Sequence, residues 1–407
     1  MNRFLAIGFI SALTLLGGLA APALPTFFTR AEQNILEQYV NPRSVDLVAW
    51  QKNLQQEALK SCPSGCDDLV LQHVLTDQVK AIGDKHFYVF DRESLRLEDQ
   101  LPVGSSSYTT TLGFLLESHR DSLTVRYVHP QTPAAAYFRS GDIILEATLF
   151  DSKLDIKTFS LEQKIALAER RGIGLEIRFM RDNKTQTARL SPATGGWKPE
   201  STLLAGNTLW LRLTSTRAEA ARWLHDQIRE AKKNGIKKII LDLRFNFGGT
   251  PFQTINIVGA FLPKAGVILK DRNNKKIEYL YQDSKILYSN ELTGQKLEDK
   301  YENPSRWDGD LVVLTSKYTF SGGENLVAVL QEAKRGLVVG EATKGAAGLT
   351  GNTFVMRFEA YVFIPQYRHY SLENVARALQ VKPDVIVEFD AEAARAGRDN
   401  QLEAALK

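Results

Sequence analysis

Cysteine is almost absent from this chain of 407 residues. Only Cys62 and Cys66 occur, so neither a disulfide-stapled miniprotein nor a multi-cysteine zinc centre can be built. Histidine is scarce too, and His73, His86, His119, His129, His225 and His369 are scattered rather than set at metal-ligand spacing. The residues therefore suggest no metal and no organic cofactor. A charge excess of one sign is also lacking: 51 Lys and Arg stand against 47 Asp and Glu, a net +4, too little to argue for nucleic acid. Beyond the N-terminus there is no polytopic membrane pattern, and no internal repeat or low-complexity tract. What remains, 43% hydrophobic and 24% charged residues, is the composition of a folded protein. Its length suits two or three domains at about 150 residues each.

The N-terminus is distinctive. Met1-Asn2-Arg3 precedes an apolar run from Phe4 to Leu16, and small residues follow near Ala20. A basic start, a short apolar stretch and a small-residue cut site make a secretory signal, expected over residues 1–20. The expected location is exported, periplasmic or secreted. An uncleaved run would instead tether the chain to a membrane, although Pro22 and Pro25 interrupt a spanning helix. Export leaves Cys62 and Cys66 either bridged or as free thiols.

Three further regions follow. Residues 28–104 carry apolar positions at helical spacing and read as a helical N-terminal domain. Residues 105–192 switch to short strands, among them Leu123 to Val128 and Gly174 to Phe179, with a turn and short helix at Pro133 to Ala136 and a helix over Leu161 to Arg170. Residues 200–390 alternate strand and helix. Ile236 to Leu243, Leu311 to Thr315 and Leu337 to Gly340 are nearly unbroken apolar strands of the kind buried on both faces. Arg217 to Lys233 is an amphipathic helix with Ala221, Leu224, Ile228 and Ala231 on one side. Residues 391–407 are expected to be a C-terminal tail. The fold class is multidomain α/β.

Three motifs in the last region carry chemistry. Asp242 to Gly249 ends a buried strand in paired glycines, whose N–H groups can meet a ligand without an intervening Cβ. Lys317 to Asn325 places Ser321 between a strand and a helix start, where unpaired N–H groups and the helix dipole favour negative charge. Ser321 with Glu324 also spells a capping box, the plainer role for this serine. Val339 to Gly345 is a third strand end, with Lys344 in its turn.

In this order the motifs resemble those of the C-terminal processing peptidases, or tail-specific proteases, a serine peptidase family. Tyr39-Val40-Asn41-Pro42, Asp84-Lys85-His86, Leu112-Gly113-Phe114 with Ser140 to Ile144, and Val381-Lys382-Pro383-Asp384 are similar to further family segments. The resemblance implies a small α+β PDZ-like domain over 105–192 and an α/β, ClpP/crotonase-like protease core. It implies Ser321 as nucleophile, and an oxyanion hole from the N–H groups of Gly248 or Gly249 and of Gly322. In the processing branch the base is a lysine in a Gly-Lys-Gly turn. Here Ala346 stands in that place and Lys344 lies two residues early. The turn is more similar to the tricorn-like branch, which implies His86 as base and Glu373 as its orienting partner, with Lys344 as the alternative base. Leu112, Gly113 and Phe114 would bind the terminal carboxylate of an extended polypeptide substrate. The competing expectation is a catalytically inactive peptide- or apolar-ligand-binding protein on the same fold. Oligomeric state is not legible.

Overall fold

The computed structural model describes residues 36–40, 46–61, 68–90, 110–119, 122–150, 172–194, 197–355 and 361–407, with 161, 164, 165, 168 and 169. The apolar N-terminal run, Cys62, Cys66 and the 104–107 linker lie outside the described residues. The described residues fall into two compact units.

The first unit joins the N-terminal helices to two later stretches, Lys264–Lys300 and Gly345–Gln380. Helices Leu47–Ser61 and Asp68–Ala81 bury Trp50, Leu54 and Ala58 with Leu75 and Val79, and Phe87, Val362 and Ile364 complete that cluster. Strand Tyr88–Phe90 pairs antiparallel with Tyr361–Tyr370, which leads to Lys264–Lys270 and on through three further antiparallel strands to Lys296–Lys300. This sheet alters the picture of 200–390 as one uninterrupted α/β domain. Its outer strands are half-buried, as in Lys276-Ile277-Glu278-Tyr279, whereas Lys264–Lys270 is buried over five consecutive residues. At one hairpin Asp283 and Ser284 both adopt positive φ, the geometry a two-residue turn demands.

The second unit contains two sheets that position the site. The six-stranded sheet runs in the order Val385–Ile386, Leu337–Gly340, Asp310–Thr315, Lys238–Asp242, Thr208–Arg212, Glu200–Leu204. All pairs are parallel except the last. Helix Ala218–Lys233 buries Ala221, Leu224, Ile228 and Ala231, as the sequence pattern requires.

Residues 391–407 are not a tail. Asp390 and Asp399 cap helices Ala391–Arg395 and Asn400–Leu406, and Leu402 and Ala405 pack against Trp210, Ile240, Val312 and Leu314. The short apolar faces were too sparse to announce that packing.

The other sheet is five-stranded and antiparallel, in the order Phe114–His119, Ser122–Val128, Ile143–Leu149, Leu175–Arg181, Lys184–Leu190. Its core joins Leu112, Phe114, Val125, Ile144 and Phe179 to Ile165 and Ala168 of the helix.

Candidate active site

Strand Lys238–Asp242 delivers a fully buried carboxylate. Asp242 accepts from the Arg244 N–H (3.1 Å), from Arg244 Nη2 (2.7 Å) and from Arg212 Nη2 (3.0 Å). Burial works to raise its pKa, yet the Arg244 and Arg212 guanidiniums hold it far below the usual carboxylate range. Arg244 also grips Asp399 through two bonds of 2.7 Å. Asp242 and Arg244 thus fix the strand end from which the glycine loop departs.

Asn246, unnoticed in the sequence, shapes that loop. Its Nδ2 donates to Leu213 O (2.9 Å) and its Oδ1 accepts the Gly248 N–H (2.9 Å). Phe320 N–H donates back to Asn246 O (2.8 Å), so the glycine loop and the serine loop are stitched together. Thr319 Oγ1 to Leu243 O (2.8 Å) and Ser316 Oγ to Arg244 O add two more stitches. Because its N–H is taken, Gly248 is not the oxyanion donor that the resemblance allowed. Gly248, at φ +88°, serves by lacking a Cβ, which would stand 2.9 Å from Gly322 N, Phe320 O and Ser321 Cβ. Among the described residues, the N–H groups of Gly249 and Gly322 make no hydrogen bond. They lie side by side, since a Cβ on Gly322 would be 2.9 Å from Gly249 N. Two adjacent unpaired donors at a helix start are suited to a developing oxyanion.

Ser321 opens helix Gly322–Glu332 with φ 52° and ψ −114°. An ordinary N-cap serine is extended; this backbone is a sharp strand-to-helix turn that costs an L-residue about 1–3 kcal/mol. Such a turn pushes a nucleophile out above the sheet. The Ser321 N–H donates to Glu324 Oε2 (2.8 Å), and the fully buried Glu324 accepts from Thr343 Oγ1 (2.6 Å). Thr343 in turn bonds Val381, by its N–H to Val381 O (3.0 Å) and from Val381 N–H to its Oγ1 (2.9 Å). Strain at Ser321 is therefore over-determined by neighbours on two other segments.

The expected bases are placed differently. Lys344 is exposed in the same unit as Ser321, its N–H donates to Thr319 O (3.0 Å) and its Nζ stands 5.1 Å from the Phe320 ring centroid. Ala346, in the position of the family lysine, is only 1% exposed and belongs to the other unit. His86 also belongs to that unit and is buried; its N–H donates to Asp84 Oδ1 (2.9 Å), while Asp84 Oδ2 accepts from Tyr39 Oη (2.8 Å). Glu373 sits exposed in the turn after strand Tyr361–Tyr370, its carboxyl lowered by a local hydrogen bond to Ser371. A solvated carboxylate of this kind is a poor orienter for a buried imidazole, so the structure gives no support to that role.

The substrate nest departs from expectation as well. Leu112 and Phe114 are core residues, and the Gly113 N–H is bonded to Thr111 Oγ1 (2.9 Å). The Leu112 N–H already donates to a carboxylate, Glu169 Oε1, at 2.8 Å. The sheet carrying the nest meets the serine and glycine loops directly. Tyr318 Oη donates to Leu116 O (2.5 Å), Tyr127 stacks on Phe245 with centroids 4.2 Å apart, and Arg126 bonds both Glu117 and Glu341.

Residues 207–387 match the family described as Peptidase family S41, and residues 110–191 match the PDZ domain. The chain is 30% identical over 356 residues to the carboxy-terminal processing protease CtpA of Bacillus subtilis, covering 85% of this chain and 69% of that protein. It is 24% identical over 406 residues to a carboxyl-terminal-processing protease of Picosynechococcus, covering 95% and 91%. Among solved structures, a photosystem II D1 C-terminal processing protease matches with TM-score 0.54 at 18% identity, covering 89% of this chain and 92% of that one. Mature CPAF complexed with lactacystin matches with TM-score 0.57 at 13% identity, covering 92% and 96%. These structural likenesses bear on the fold.

Proposed function

Because the chain belongs to peptidase family S41, with the C-terminal processing proteases, and is a serine peptidase acting on polypeptide, we propose that it cleaves extended chains chosen by their C-terminal residues, with Ser321 as the nucleophile. The observation that carries this reading is the Ser321 turn, at φ 52° and ψ −114° beside the free N–H groups of Gly249 and Gly322. Oγ of Ser321 attacks the scissile carbonyl as its proton passes to a base. The carbonyl oxygen gathers negative charge between the two glycine N–H groups. The base returns the proton to the leaving amine, and water then hydrolyses the ester by the same route in reverse.

His86 is proposed as that base, on the resemblance at Asp84-Lys85-His86 and the alanine at 346. An imidazole titrating near neutrality can both take and return the proton. One observation favours a second reading: Lys344 Nζ beside Phe320, the residue before the nucleophile. Export, guided by the Phe4 to Leu16 run, completes the proposal.

The decisive experiment follows cleavage of a permanently unfolded substrate by the full chain and by Ser321→Ala, His86→Ala and Lys344→Ala. Ser321→Ala should lose at least about 10³-fold in rate, and the variant of the true base a comparable amount. Equal cleavage by Ser321→Ala and the parent would leave an inactive binding protein as the better description. Full activity in His86→Ala with loss in Lys344→Ala would transfer the role of base.

A further inference from the structure

Among the described residues, strand Phe114–His119 stands at the end of its sheet and pairs on one side only, with Ser122–Val128. An extended peptide can add to such an edge, and its last carboxylate then needs the N–H groups just before the strand. Those groups are in use. Glu169 Oε1 accepts the Leu112 N–H at 2.8 Å and the Thr111 hydroxyl at 3.3 Å, while Thr111 Oγ1 accepts the Gly113 N–H at 2.9 Å. We infer that Glu169 is an internal substitute for the substrate's terminal carboxylate, so that a polypeptide end enters this nest only by displacing it. The inference rests on the proposed selection of substrates by their C-termini.

Two physical costs show that Glu169 is not placed there by default. The helix closes just beyond it, with Ile173 N–H donating to Ala168 O at 2.9 Å, and a helix C-terminus disfavours an anion. Burial also raises its carboxyl pKa against the Leu112 and Thr111 hydrogen bonds that lower it. What offsets both is a set of donors suited to a carboxylate. Its helix neighbours Ile165 and Ala168 are buried in one hydrophobic cluster with Leu112 and Phe114, so the side chain is presented to the nest by the core itself.

The test uses the full chain with Ser321→Ala to prevent turnover. Anisotropy titrations compare a labelled decapeptide ending Ala-Leu-Val as the free acid with the same peptide amidated. Hydrogen bonds to a charged group are each worth about 1.5–3 kcal/mol, so Glu169→Ala should bind the free acid about 10- to 100-fold tighter, with the amide unchanged. Glu169→Gln keeps the shape but not the charge, and should gain several-fold; it decides the matter if Glu169→Ala fails to fold. A parent that already prefers acid to amide, with neither variant binding the acid more tightly, would show an open nest and refute the inference while sparing C-terminal selection. If no folded variant distinguishes acid from amide, C-terminal selection itself falls.

Discussion

Gly248 offers a sharp trial of the site's geometry because it contributes no side chain and no free donor. In Gly248→Ala the new methyl would meet Gly322 N, Phe320 O and Ser321 Cβ, each at 2.9 Å, with the backbone at φ +88°. Left-handed strain costs about 1–2 kcal/mol, and overpacking adds about 1–3 kcal/mol. Relief requires the serine loop to recede, which carries the Gly322 N–H away from its partner donor on Gly249. Loss of one oxyanion donor lowers kcat about 10²- to 10³-fold. Gly235→Ala separates the two effects: φ is +68° but nothing lies within 4 Å, so only the strain remains. Chemical denaturation should show both variants destabilised, and an unfolded-protein cleavage assay should show only Gly248→Ala impaired, in kcat rather than KM. Unchanged kcat in Gly248→Ala, or an equal loss in Gly235→Ala, would refute the reasoning.

Asp399→Ala removes both a two-bond partner of Arg244 and the cap that accepts the Leu402 N–H at 3.0 Å, so a loss of about 2–4 kcal/mol is expected in urea denaturation. A loss under about 0.5 kcal/mol would mean the C-terminal helices are not anchored through this pair. Acid should weaken the fold in two stages. Burial first, with Arg377 and His86, holds His369 well below the usual histidine value, and burial lowers His225. A lowered folded-state pKa means the unfolded chain binds more protons, so this stability is complete above pH ~6.5 and drains away as pH falls. Asp242 and Asp399, held low by arginines against burial, add a second loss below pH ~4. Urea midpoints that stay flat from pH 7 to pH 5 would contradict the first stage.

Much of the α/β core was legible because its signals are local. The apolar run ending at Leu243 is buried on both faces, and the helix over Ala218–Lys233 declares its inner face by spacing. Ser321 and its glycines were legible as a strand-to-helix turn, although not that the serine itself takes the strained conformation. The antiparallel sheet of the first unit was not legible, since Ile268 finds its partner at Tyr370 and no local pattern announces a pairing across that separation. Asn246 looks like an ordinary loop amide until Leu213 O and Gly248 N–H are seen on either side of it. Glu169 resembles any solvated helix residue, and only the contact with Leu112 reveals otherwise. For both, the informative quantity is a hydrogen bond to distant backbone, which side-chain type alone does not specify.

The paired bonds between Thr343 and Val381 give the chain a fixed point of departure and return around Gly345–Gln380. In topological terms that stretch is a detour spliced into the core. Its strand Tyr361–Tyr370 pairs with Tyr88–Phe90 and Lys264–Lys270, so only its turns have freedom of length, where closure entropy rises with the logarithm of loop length and each doubling costs about 0.6 kcal/mol. The splice itself has no such latitude, because Thr343 also holds Glu324, which holds the Ser321 amide. Descendants of this sequence are free to lengthen the turns of the excursion, but not to rewrite its paired strands or the knot that ties it off.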